Sequence, residues 1–269
     1  MWALMVRTIK DSWLTSVIYL VVSVLFVWIF VSIFPSFQSA SANFNELLKS
    51  YPQTLLKAFG YDPETPIFGS VEAYISVENF SFMYQILVVG IAASFSSWAI
   101  AGQIEKKTMS TLLSLPINRT KIFFAKYFSN ALIIILFNMV SIYSIIIFCK
   151  LYDVSYSSGH YHKMFVASTL FSMAIYSLGM FFSSLFRDKG KVLFFSVGIV
   201  LAMYAIYVIS GLKENLSDLK YGTFFYYFNS TSILAKGIMP NHLYLVFGGT
   251  IIFFSSMALL VFAKRDISV

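Results

Sequence analysis

Six stretches of this chain run for more than 20 residues without a charged side chain, and no other feature constrains its fold as tightly. They lie between Asp11 and Glu46, Glu78 and Glu105, Lys126 and Lys150, Lys163 and Arg187, Lys191 and Lys213, and Lys236 and Lys264. A charge at the centre of a bilayer costs roughly 2.5–3.5 kcal/mol on the insertion scale. A helix that crosses ~30 Å of hydrocarbon needs about 20 residues. The pattern predicts an all-α polytopic membrane protein, with one permease-like domain over 1–269. Its spans fall at about 15–35, 79–102, 127–149, 164–186, 192–212 and 242–263. All six prolines lie outside these spans or at their edges, as the helix-breaking cost of proline requires.

Composition agrees. Only 12% of residues are charged and 58% are hydrophobic, whereas soluble domains carry about a quarter charged residues. The net charge of +7 follows from membrane topology. With both termini inside, Arg7, Lys10, Lys106, Lys107, Arg119, Lys121, Lys126, Arg187, Lys189, Lys191, Lys264 and Arg265 all face the cytoplasm on short segments, and they include every arginine. The positive-inside rule therefore predicts a multi-pass cell-membrane protein with cytoplasmic ends. No basic face on a water-soluble fold is visible, so nucleic acid is not an expected partner. The single cysteine, Cys149, excludes an internal disulfide and a cysteine-cluster metal site. Ala40-Ser41-Ala42 mimics a signal-peptide cleavage site, but the apolar run before it exceeds the 7–15 residues of such peptides, so the first span is expected to be retained.

Several pieces lie outside the spans. Trp2, Val6, Ile9 and Trp13 form one helical stripe with Arg7, Lys10 and Asp11 off it, which predicts an interfacial helix; the alternative is a plain continuation of the first span. Phe44, Leu47, Leu48, Tyr51, Leu55 and Phe59 recur at helical spacing and suggest one or two short outer helices. Residues 221–235 are uncharged but too few to cross, which predicts a re-entrant or interfacial element before the sixth span. Asn215 and Asn229 begin Asn-x-Ser/Thr triplets, a pattern short enough to be coincidence. Ala93, Ser97 and Ala101, and Gly179 with Ser183, recur every four residues, a spacing that suits close packing within one subunit.

Residues 105–126, EKKTMSTLLSLPINRTKIFFAK, hold far more polar chain than a turn between spans needs. Met109, Leu112, Leu113 and Pro116 follow at i, i+3, i+4 and i+7, which predicts a short amphipathic helix closed near Pro116. Such a helix suits a groove on a soluble partner, or else lies on the inner leaflet.

This stretch resembles the element between the second and third spans of ABC transporter permeases of the type-2 exporter class, at Glu105, Thr108, Met109, Leu112, Leu113, Pro116, Arg119, Ile122 and Lys126. The ending Phe262 to Ile267, FAKRDI, is similar to that family's usual ending. Many members place Gly where this chain has Lys107. The resemblance implies that 105–116 is a coupling helix docking in a cytosolic ABC ATPase subunit, with Glu105, Thr108, Met109, Leu112, Leu113, Pro116 and Arg119 at the contact. It also implies ATP and Mg on that partner, a second permease copy as homodimer or close relative, and export of hydrophobic or amphipathic cargo, peptides foremost, as in bacterial amphipathic and antimicrobial peptide exporters. Membrane lipid is the remaining expected partner.

The chain lacks a G-x-x-x-x-G-K-[ST] phosphate loop, H-E-x-x-H and G-x-S-x-G, so no ATPase, zinc-protease or serine-hydrolase activity is expected of it. No cofactor or metal is expected either. His160, His162 and His242 fall in expected outer loops. No ionisable residue falls in a span interior, which argues against a proton-coupled carrier. The reading from another class is a membrane scaffold or sensor whose 105–116 helix docks a different cytosolic partner.

Overall fold

The computed structural model describes residues 1–39, 51, 66–114 and 116–265. Among these, six helices are long and apolar enough to cross a membrane. They are α1 (Trp2–Ser39), α2 (Val71–Ala99), α5 (Arg119–Leu151), α6 (Ser158–Leu185), α7 (Lys189–Leu212) and α9 (Leu243–Lys264). Two short helices, α3 (Ala101–Glu105) and α4 (Thr108–Leu113), link α2 to α5. A third, α8 (Phe224–Tyr227), lies between α7 and α9. The helical pattern expected over 44–59 lies outside the described residues, Tyr51 apart, as do Asp266 and Ile267 of the FAKRDI ending.

The first helix differs from expectation in two ways. No separate interfacial helix precedes the first span: the Trp2–Trp13 segment and the span are one continuous helix of 38 residues. At 1.5 Å per residue it is about 57 Å long. It also runs through Pro35 to Ser39. A proline removes one backbone bond to the preceding turn, and here only one further turn follows it. The stripe of Trp2 and Trp13 is exposed, and the face turned to the bundle is Thr8, Ser12, Ser16 and Ser23. For a helix in lipid, the apolar stripe meets the solvent and the small polar stripe meets the protein.

The same inversion runs through the bundle. Helix α6 is the hub and packs on α9, α2, α5 and α7, while α1 lies chiefly along α5. Hydroxyls and amides lie in these contacts beside a core of Phe, Tyr, Ile and Val side chains. Ser23 donates to Ser141 at 2.7 Å and joins α1 to α5; Tyr127 and Ser177 share a bond of 2.7 Å between α5 and α6. Tyr84 donates to Asn138, whose amide donates to Ser172 at 3.2 Å, so one polar chain ties α2, α5 and α6. Buried polar groups must be paired in so dry a setting, and pairing across helices fixes their rotation.

Small residues set the closest approach. A Cβ at Gly179 of α6 would lie 2.2 Å from Ser96 Oγ of α2, so these two helices touch where neither has a side chain to spare. One turn on, Ser183 Oγ accepts from Ala101 N–H at 3.1 Å and Ile100 N–H at 3.3 Å. Ile100 is the break between α2 and α3, with φ −124° and ψ −61°. The Ser183 hydroxyl thus satisfies the donors that the break frees, which a buried backbone requires.

The second span starts earlier than the sequence predicted. Ser70 caps it by accepting from Ala73 N–H at 3.1 Å, and Glu72, buried in the first turn, accepts from Ser157 N–H at 2.6 Å. An acidic residue in the first turn complements the helix dipole, and the hydrogen bond satisfies its carboxylate. Ser76–Met83 within α2 is a π-helical stretch. The segment before α9 does not cross: a 3-10 run (Glu214–Gly222), α8 and a π turn (Thr231–Ala235) bury Phe224, Phe225, Phe228, Ile233 and Leu234. Phe228 stacks on Phe171 of α6 at 4.5 Å, and Ser230 donates to Ser76 O at 2.9 Å. Two of the three histidines are not in loops: His160 and His162 stand in the first turn of α6.

Candidate functional site

Helix α4 hangs from the bundle at the end where α2, α6 and α9 finish. Its entry is two residues, Lys106 and Lys107. Lys107, just past the residue that caps the end of α3, adopts φ +58° and ψ 15°, the left-handed position that usually closes a helix with glycine. That is the position at which the resemblance departs from its pattern. A side chain in this conformation costs roughly 1–2 kcal/mol, partly offset by the extra freedom that glycine loses on folding. Lys107→Gly should therefore stabilise the turn by about 0.5–1 kcal/mol. Slower amide exchange across Thr108–Leu113 would register it, with Lys107→Ala giving no such gain; faster exchange in the glycine variant would contradict it.

The structure brings the residues picked out from the sequence into one segment, but they face different ways. Met109 and Leu112 are buried at 1% and 7% exposure and point into the protein's own bundle, not outward. Leu113 is half-buried, while Thr108, Thr111, Ser114 and Pro116 are exposed. Thr108 Oγ1 donates to Gln103 Oε1 at 2.8 Å and fastens α4 to α3. The face of α4 open to a partner is therefore one of hydroxyls, Ser110, Thr111 and Ser114, with Leu113 at its edge.

Glu105 and Arg119, the two charged residues expected at the ATPase contact, tie the segment to other helices. Glu105 accepts from Lys189 N–H at 2.8 Å, joining the end of α3 to the start of α7. The ammonium groups of Lys106 and Lys189 lie 4.7 and 5.5 Å from the centre of the Trp98 ring, and Gly102 makes room for that ring. Arg119 donates to the Arg265 carbonyl, and Arg265 donates to Ser184 O at 2.7 Å and Phe186 O at 3.0 Å. Burial and the nearby Arg187 charge draw the Arg265 guanidinium below its ordinary pKa. Through these contacts, 105–119 is tied to the start of α7 and to Arg265 at the end of α9, which in turn holds the end of α6, and it continues directly into α5.

Between α2 and α7 lies a cavity of about 250 Å³. Ile86, Val89, Val197, Val200 and Leu201 line it, with Gln85 and Tyr204 as its polar contributors. Sequence reasoning missed it, because in an apolar helix no pattern distinguishes a cavity face from a lipid face. Among the described residues, no group of three or more His, Cys, Asp or Glu could hold a metal ion.

A chain with six apolar helices, a lever-like segment between the second and third, and a broken element before the last has the layout of a membrane transport subunit. No curated protein matches it. The family model for ABC-2 family transporter proteins matches residues 9–267, nearly the whole length. The chain belongs to the ABC-2 transporter family.

Proposed function

We propose that this protein is the membrane half of an ATP-driven exporter of hydrophobic or amphipathic cargo, peptides foremost, powered by a separate cytosolic ABC ATPase subunit. Both termini and α4 face the cytoplasm, the side that holds all four arginines. Two copies, or this chain and a close relative, pair about a two-fold axis, the commonest arrangement of oligomers. ATP and Mg bind the partner. The observation that carries the reading is the anchorage of 105–119. An idle surface loop has no need of hydrogen bonds to the start of one span and the end of another, whereas a lever does. The buried Met109 and Leu112 couple α4 to the bundle, and the hydroxyl face with Glu105, Thr108, Leu113, Pro116 and Arg119 around it meets the ATPase. ATP-driven closure of the ATPase pair pushes this segment, and the spans reorient to open a loaded site outward.

Cargo is read from the α2–α7 cavity, whose walls match apolar side chains, as ligand pockets generally do. Reconstitution tests the proposal. The chain co-purified with its ATPase and placed in proteoliposomes should move a fluorescent amphipathic helical peptide in an ATP-dependent manner. Lack of any co-purifying ATPase would sink the proposal; ATP-dependent transport of other cargo only would remove the peptide assignment alone.

A further inference from the structure

A second cavity, of about 80 Å³, lies where α1, α3, α4 and α5 meet. Lys126 forms part of its wall, with Arg7, Asp11, Gln103, Thr108 and Thr111 around it. Lys126 is only 4% exposed, yet among the described residues its ammonium has no hydrogen-bond or ion-pair partner. The ion pair found there is Arg7–Asp11, at 3.9 Å, and both of those side chains are well exposed. Asp11 is the carboxylate whose charge acts on Lys126, and Arg7 shares it, so a largely buried cation is left only partly compensated, which is costly. The space is several times what one water needs, and the cations around it outnumber the carboxylates.

We infer that this cavity binds a phosphate group carried by the headgroup of an anionic lipid, with Lys126 at its floor and Arg7 at its rim. The hydroxyl of Thr111 is placed to donate as well. The level in the membrane fits: Trp2 and Trp13, flanking Arg7 on α1, are exposed, and tryptophan favours the headgroup region. Basic pockets between membrane helices are a known kind of headgroup site. Asp11 is the opposing charge. In the free site it draws on both Arg7 and Lys126, and it repels an arriving phosphate. A bound headgroup would join α1, α4 and α5, so lipid composition would bear on the lever itself.

The test uses the full chain in detergent, titrated with phosphatidylglycerol, phosphatidylcholine or inorganic phosphate. Thermal unfolding and native mass spectrometry serve as readouts. Phosphatidylglycerol should be retained and raise the unfolding midpoint, more than phosphatidylcholine does. Lys126→Gln should weaken that binding about tenfold or more, the effect of losing a hydrogen bond to a charged group. Arg7→Gln, at the exposed rim, should weaken it less, and Asp11→Asn should tighten it. An equal, Lys126-dependent shift with inorganic phosphate alone keeps the phosphate site and assigns it to a soluble anion. No shift in the native protein, or an unchanged one in Lys126→Gln, overturns the site. Should Lys126→Gln fail to fold, the other two variants decide: phosphatidylglycerol retention left unchanged by both Arg7→Gln and Asp11→Asn overturns the site.

Discussion

Arginine at both Ser110 and Ser114 is expected to strip the ATPase from the membrane subunit while leaving six helices folded and inserted. Both positions lie on the side of α4 turned away from Met109 and Leu112, and their hydroxyls bond only within the helix, to Lys107 O and Thr111 O. Two large cations there cost the bundle little, because substitutions at exposed sites usually shift stability by no more than about 0.5 kcal/mol. At an interface the same bulk and charge work directly against contact. The companion variant, Met109→Ala with Leu112→Ala, acts on the other face. Each truncation removes about 2–5 kcal/mol of packing between α4 and the bundle. The ATPase should still bind and hydrolyse ATP, but cargo should no longer stimulate it and transport should stop. Pull-down, ATPase and transport assays on the two variants separate grip from transmission. If the arginine pair leaves pull-down intact, or the alanine pair leaves transport intact, the lever assignment fails.

The second large effect is expected inside the bundle. Gly179→Ala should destabilise the protein by about 1–3 kcal/mol, the usual cost of overpacking, and Gly179→Leu should yield little folded protein. Alanine is a better helix former than glycine by about 0.8–1.0 kcal/mol, so two effects of opposite sign compete. Contact decides it: a Cβ would come within 2.2 Å of Ser96 Oγ and 2.7 Å of Ser96 Cβ, and Ser96 is itself fully buried. The double variant Gly179→Ala, Ser96→Gly removes the clash and should recover most of the loss. Thermal unfolding in detergent of the two single variants and the double gives the coupling energy directly. Additive losses would mean that the two residues do not limit the approach of α2 to α6.

How much of this was readable from the chain depends on which physical force set each feature. The six spans were legible because the penalty for charge in hydrocarbon marks the sequence directly. Their ends were not, since hydrogen bonds decide those: Ser70 and Glu72 begin α2 eight residues before the apolar run suggested. The pattern Ser70-x-Glu72 was the available signal. The stripe of Trp2 and Trp13 was read as a helix apart from the first span, and the structure joins the two; an aromatic face turned to lipid fits both arrangements, so the stripe could not decide between them. Of the stripe Met109, Leu112, Leu113 and Pro116, the structure buries Met109 and Leu112, leaves Leu113 half-buried and Pro116 exposed. Which body such a stripe meets depends on tertiary packing, and periodicity carries no information on that. Lys126 stood in plain view as the boundary of a span, yet only the packing of α1 and α4 over it reveals that it is buried. The membership in the ABC-2 family, by contrast, was legible from the 105–126 pattern and its position between spans.

The π-helical stretch Ser76–Met83 carries Phe82 of the α2–α7 cavity wall and runs directly into the rest of that wall on α2. Each residue of an α-helix accounts for about 100° of rotation and 1.5 Å of rise. Were the surplus residue in this stretch absorbed or lost, everything beyond it would swing by about a quarter of a circle, carrying Gln85, Ile86 and Val89 off the cavity wall. The clocking of that wall is therefore set by a local winding fault, latched by Ser230 on Ser76, rather than by the helix that bears it.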